Sequence, residues 1–450
     1  MPPLATVAGM DVGRLVAAVP LAVAVLLAAS PGQEAPGQET PAPKAQRDRV
    51  LVRVDPRVEL MSVIFRLAGN PEYNKGRVDV YTKAVDAHFE KFKDHAVVRA
   101  ARNLRRVSGV SHDACMSLAV HLTDAGELLE RVPFDPRPVG LDKRWKLAAA
   151  RGFLKQARQF AKEAEFDGFL KAHQELYQTA VGRMQKVLDE HARLAWFDRY
   201  FGARPQARIE MSLGMLNGGQ CYGARVRQAD GKEELYCVLG VWSTDAEGLP
   251  KFDVSTVDIV VHEFCHSYCN ALVDKHAGKL RGPATKMFPH VESAMRAQAY
   301  GSWEAMMYES LVRACVVRYL LAADGNRVAG NQVERTQAAR KQVAADQQRS
   351  FFWMGQLVSL LERYEKQRDE YETLDDFMPK VIEFFESYSV KFAEQMAKAP
   401  KVVSMTPKNG ARGVDPKLRE IQVTFDRPML DSYWSVVGGG PHFVELTGAV

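Results

Sequence analysis

The stretch "VVHEFCHSYCN", Val260 to Asn270, holds two histidines four residues apart, with a glutamate directly after the first. On a helix, residues i and i+4 share a face. His262 and His266 would therefore present two imidazoles to one ion. Glu263 would hold a water beside that ion and take its proton. Zinc lowers the pKa of such a water to about 7. This His-Glu-x-x-His spacing is the signature of zinc hydrolases that act on carbonyl groups. The competing reading is a core helix whose two histidines are simply buried among Val260, Val261, Phe264 and Tyr268.

A catalytic zinc needs a third protein ligand. The metzincin pattern asks for Gly and then His, three and six residues after the second histidine. Cys269 and Leu272 stand there, which excludes that class. His276 and His290 have nothing in their surroundings to recommend them. A glutamate from the next helix is the remaining solution, and "SWEAMMYESLVRACVVRYLLAA", from Ser302, offers Glu304 and Glu309. This segment is apolar nearly all round, so an unpaired carboxylate in it is expensive. A metal or a basic partner would remove that cost. Glu309 shares its face with Met306, Val312 and Val316, and is preferred. Glu304 lies near the helix start, where water can reach it, and stays open as the competitor. A plain ion pair of Glu309 with Arg313, one turn on, is the structural alternative. An oxyanion would also need a donor. Tyr222, Tyr300, Tyr308, Tyr319 and Arg313 are candidates, with Tyr308 or Arg313 favoured.

These side chains need elements to position them. "STVDIVVHEFCHSYCNALVDKH" reads as a helix, with Ser255 and Asp258 spaced as a capping box. Before it, "RIEMSLGMLNGGQCYGARVRQADGKEELYCVLGVW" carries short β-prone runs broken by Gly-Gly and Asp-Gly. It reads as two or three antiparallel strands, with "ADGK" as a hairpin turn. "GMLNGGQCYG", Gly214 to Gly223, is the segment expected to lie along the motif helix as an edge strand and hold a substrate backbone.

Upstream, from about Val50, helical spacing dominates. It is seen in "VELMSVIFRLAG", "VDVYTKAVDAHFEKF", "ACMSLAVHLTDAGELLERV", "WKLAAARGFLKQARQFAKEA" and the long run from Phe169 to Gly202. "FFWMGQLVSLLERYEKQ" and "FMPKVIEFFESYSVKFAEQM" add helices downstream. The expected fold class is α+β: a mostly helical domain over residues 49–398 with a small antiparallel sheet. From 399 to 450 the style changes to strand-like runs between Pro, Gly and Asn turns, which reads as an all-β module.

The chain has 450 residues and a net charge of +5. That charge is small for the length. No nucleic-acid-binding motif accompanies it, so a nucleic-acid partner is not expected. Arg14 precedes the apolar run "LVAAVPLAVAVLLAA", Leu15 to Ala29. This is shorter than the ~20 residues that span a bilayer, and residues 1–30 read as a secretory signal. Residues 31–48, with a repeated "PGQE", read as a disordered linker. No later segment is apolar enough to cross a membrane. The mature chain is expected outside the cytoplasmic membrane, secreted or periplasmic. All six cysteines follow the signal. Cys221 and Cys237, flanking the hairpin, are the best-placed disulfide pair. Small buried thiols are the alternative.

"DPRVELMSVIFRLAGNPEYN", "VVHEFCHSYCN" and "YESLVRACVVRYL" resemble the bacterial family called domain of unknown function 4932, over roughly residues 50 to 395. Its members look like gluzincin-type zinc metallopeptidases. The resemblance implies His262, His266 and Glu309 as ligands, Glu263 as base, Zn2+ as cofactor and a peptide or protein as substrate. One departure stands out. The thermolysin-like signature has an acidic residue four after the ligand glutamate, where this chain has Arg313. "TPKNGARGV" and "VTFDRPM" resemble the first half of a bacterial Ig-like domain, which implies a spacer or adhesion unit. The leading expectation is thus an exported zinc peptidase. The alternative is a binding or scaffold protein that keeps the fold without catalysis.

Overall fold

The computed structural model describes residues 4–7, 50–204, 206–322, 332–408, 411–415 and 417–428. They belong to two units, residues 40–389 and residues 1–39 with 390–450. Apart from residues 4–7, the expected signal and linker lie outside the described residues. No helix among the described residues is long and apolar enough to cross a membrane.

The larger unit is mostly helical and is built on one four-stranded sheet. Its strands are β1 (Val50–Arg53), β2 (Ala207–Gly214), β3 (Cys221–Arg227) and β4 (Glu233–Gly240). They lie in the order β1-β2-β4-β3. The expected antiparallel sheet is corrected to a mixed one: β1, β2 and β4 are parallel, and only β3 runs against β4. The "ADGK" hairpin is present, with Gly231 N–H donating to Gln228 O and Gln228 N–H to Lys232 O. The hairpin folds so that β4, not β3, enters beside β2. β1 is four residues long and far upstream, so no local pattern announces it.

Helices cover both faces of the sheet. On one, Val120 at the end of helix Asp113–Val120 packs with Ala224, Val226 and Tyr236 in a buried cluster. On the other lies α1 (Val254–Lys275). It is followed by α2 (Ala277–Ala297), α3 (Trp303–Leu321) and α4 (Gln332–Gln348). α1 begins two residues earlier than Ser255 and Asp258 suggest. Asp253 is the cap: its carboxylate accepts from Ser255 N–H, and Thr256 Oγ1 accepts from Asp253 N–H. α3 buries residues on every face, from Met306 and Met307 to Tyr319 and Leu320, as a central core helix must. Three of its charged residues are buried too, and each of these is paired: Glu309 with Arg313, and Arg318 with Glu365.

Upstream, the reading from Ala114 to Val132 is shortened, because the helix ends at Val120 and an isolated Leu122–Glu130 bridge follows. The run from Phe169 to Gly202 is three helices, Phe166–Ala172, Gln174–His191 and Ala195–Phe201. All six cysteines are free thiols. The expected Cys221–Cys237 pair is therefore not bonded. In the β3–β4 register Cys221 opposes Leu239, and Cys237 opposes Gly223.

In the smaller unit, Leu4–Val7 and Val402–Thr406 flank Ile421–Phe425 in a three-stranded antiparallel sheet. Ile421, Val423 and Phe425 are buried and their neighbours are not, the alternation of a sheet with one covered face. The unit also takes in residues 390–398, the end of helix Leu374–Lys398.

Candidate metal centre

α1 and α3 pack side by side and bring three ligand atoms together. His262 Nε2 and His266 Nε2 are 3.2 Å apart. Glu309 Oε1 lies 3.2 Å from His266 Nε2, and Glu309 Oε2 lies 3.7 Å from His262 Nε2. Among the described residues, these three side chains form the one His/Cys/Asp/Glu group that could hold an ion, its ligand atoms all within 4.8 Å of one another. Donors at 2.0–2.2 Å from a tetrahedral ion are separated by about 3.3–3.5 Å. The observed triangle fits that separation and leaves one coordination position to a fourth group. Glu304, in the first turn of α3, is not part of the cluster. Nor is His276, whose Nε2 is 2.9 Å from Asp375 Oδ1, or His290, exposed on α2.

The surroundings orient these donors. Asn270 Oδ1 lies 3.1 Å from His266 Nδ1. With the proton on Nδ1, that contact leaves Nε2 as a lone-pair donor, the usual service of an outer partner to a ligating imidazole. Burial of Glu309 would raise its carboxyl pKa, but the hydrogen bond from His266 and the charges of both histidines and Arg313 hold it well below the usual range. Burial, and then His266, push His262 down to about 3. Burial also opposes charging His266, but Glu309 overrides it and raises the imidazole to about 9. Two imidazoles at this separation cannot both be cationic: His262 stays neutral with a lone pair free, and His266 holds a proton against Glu309 that a metal would displace.

Arg313 Nη2 is 2.9 Å from Glu309 Oε2. That oxygen is nonetheless without an aligned hydrogen bond. A buried carboxylate oxygen in this state is costly unless something else takes it up, which suits a metal ligand. The other arm of Arg313 binds Asp346 Oδ1 on α4 at 2.8 Å, and Nη2 also donates to Tyr300 Oη at 2.9 Å. Asp346 is fully buried. The departure at position 313 is thus balanced by an acidic residue from a different helix. Sequence reading missed Asp346, which sits 33 positions from Arg313 in a polar helix.

Glu263 is buried on α1, outside the ligand triangle. Burial pushes its carboxyl up to about 7, with Glu309 adding to the rise, while His266 and the Gly223 N–H oppose it. Gly223 on β3 faces it: a Cβ there would lie 3.6 Å from Glu263 Oε2 and 3.7 Å from the His266 Cβ. The edge strand beside the motif helix is therefore Cys221–Arg227. Of the expected segment Gly214–Gly223, only Cys221, Tyr222 and Gly223 belong to it.

The oxyanion candidates separate clearly. Tyr222 points to the opposite face of β3 from Gly223, as strand alternation requires. Tyr319 Oη accepts from Arg193 N–H. Tyr308 is hydrogen-bonded to Asp274, so the structure does not bring it into the cluster. Arg313 and Tyr300 are the two that reach Glu309, Arg313 by its ion pair and Tyr300 with its hydroxyl beside the carboxylate.

A mixed sheet with an antiparallel edge strand, a helix bearing two histidines and a glutamate beside it, and a third ligand from a buried helix define the architecture. The chain matches the family described as Domain of unknown function (DUF4932) over residues 50–384, and belongs to it. No curated protein and no solved structure matches the chain.

Proposed function

We propose that this chain is an exported zinc-dependent peptidase with His262, His266 and Glu309 as metal ligands and Glu263 as general base. The observation that carries the reading is the convergence of two imidazole nitrogens and a buried carboxylate, 3.2–3.7 Å apart, with a second carboxylate beside them. Zinc held there would supply a Lewis acid for a substrate carbonyl and lower the pKa of a water.

The residues of the chain do the rest. Glu263 accepts the water's proton on its carboxylate and, with a pKa near neutrality, can give it up to a leaving amine. Tyr300 accepts from Arg313 and turns its own proton toward Glu309; redirected, the same hydroxyl would donate to a developing oxyanion.

β3 orients the substrate. Gly240 N–H donates to Gln220 O, so the Gln220–Gly240 pair is hydrogen-bonded. Tyr222, Ala224 and Val226 then also point their N–H and C=O groups at β4. Those of Cys221, Gly223 and Arg225 point away, along the outer edge, where Glu263 takes the Gly223 N–H and Gly140 closes off the Arg225 C=O. An extended peptide can add to that edge as a further strand. We read the smaller unit as the beginning of an Ig-like module, on its short antiparallel sheet.

The test is hydrolysis of a quenched peptide library by purified protein. Cleavage is expected to vanish with a chelator and to return on adding zinc. Cleavage that survives the chelator contradicts the reading.

A further inference from the structure

We propose that Arg225 is a specificity-determining residue that selects substrates carrying a carboxylate about two residues from the scissile bond. The inference rests on the peptidase reading above and adds the substrate class.

Arg225 follows Gly223 by two residues on β3, so both side chains point to the face that holds α1. Two residues along a strand is about 6.8 Å. Gly223 lies against Glu263 and His266, so a group bound at Arg225 sits roughly one dipeptide repeat from the reacting centre. The guanidinium is only partly exposed, yet no described residue gives Arg225 a side-chain hydrogen bond or ion pair. Its neighbours differ. Arg227 is paired with Glu233, and Arg313 with Glu309 and Asp346. Tyr308, whose charge state senses Arg225, has its hydroxyl committed to Asp274.

The backbone adds a boundary. Gly140 adopts φ +92°, and a Cβ on it would fall 1.9 Å from Arg225 O and 3.1 Å from the Arg225 Cγ. The loop thus closes the free edge at the Arg225 carbonyl. A paired peptide runs along Cys221 and Gly223 and meets Arg225 where the open edge ends. A planar guanidinium at that point matches a carboxylate. An α-amino group would be repelled. The carboxylate can come from an Asp or Glu side chain or from a chain terminus, and both present the same two oxygens.

The experiment compares four otherwise identical quenched peptides: one with an internal Glu, one with Gln in its place, one with a free C-terminal carboxylate and one amidated. Wild type, Arg225→Ala and Arg225→Glu are tested for cleavage, and for binding of labelled versions by anisotropy. The expected result is a wild-type preference of about tenfold or more in kcat/KM for one carboxylate source over its neutral counterpart. That ratio should fall to near one in Arg225→Ala and below one, in favour of the neutral peptide, in Arg225→Glu. The pair that shows the preference identifies the source. A wild-type enzyme without charge preference, or a preference that survives Arg225→Ala, overturns the proposal. If no peptide is cleaved, the peptidase reading fails by itself, and binding decides the subsite. Tighter binding of the carboxylate peptide that is lost in Arg225→Ala supports it, and equal binding overturns it.

Discussion

Glu263→Gln is expected to lower kcat on a peptide substrate by roughly 10²–10⁴-fold, the range of general acid–base catalysis, while zinc content stays at the wild-type level. The side chain lies outside the ligand triangle, so the metal should not notice its loss. Gln has the same shape, and the Gly223 N–H that Glu263 receives can still be accepted by the amide oxygen. What Gln cannot do is take a proton. A rise in KM alone, or loss of zinc together with activity, would mean that Glu263 binds or supports the site. Unchanged kcat would place the base elsewhere.

Arg313→Ala is expected to have the largest effect on stability. The guanidinium is 7% exposed and lies between Glu309 and Asp346, which are 8% and 0% exposed. It also stacks over the Phe351 ring at 5.0 Å. Removing it leaves two buried carboxylates without their shared cation. Breaking a buried pair in this way costs about 3–5 kcal/mol, measured as a lower denaturant midpoint and a melting temperature several degrees down. Arg313→Lys should recover only part of this, since one ammonium cannot reproduce a planar fork that serves Asp346 on one arm and Glu309 and Tyr300 on the other. A loss below about 1 kcal/mol, the size of an exposed pair, would contradict the buried network.

The parts of the site that lie close together in sequence were legible. His262, Glu263 and His266 follow from helical arithmetic alone. Asn270 stands four residues after His266 and follows from the same arithmetic, although its role shows only when the ring nitrogens are placed. Glu309 was legible as a carboxylate in a helix too apolar to leave it unpaired. The ion pair with Arg313 is present, and the same carboxylate stands beside the two histidines, where a metal could take it up.

What sequence could not give is pairing between distant elements. Asp346 lies in α4, a helix with no apolar stripe to mark a buried face. Tyr300 sits in the turn before α3, and nothing local separates it from Tyr308. Tyr308, favoured as an oxyanion donor, stands one residue before Glu309, but one residue turns a helical side chain by about 100°, and Asp274 takes its hydroxyl. The sheet was misread because strand order is a long-range property: β4 fits between β2 and β3, and β1 joins from more than 150 residues upstream. α2 was missed because Pro283 and Pro289 argue against a helix interior.

Metal content of the purified protein, measured by elemental analysis beside His262→Ala, Glu309→Ala and Glu304→Ala, tests the central claim most directly. The expected result is about one zinc per chain in the wild type and in Glu304→Ala, with loss in His262→Ala and Glu309→Ala. Protein prepared without chelator that holds no zinc and binds none when it is added would contradict the metal centre and, with it, the peptidase.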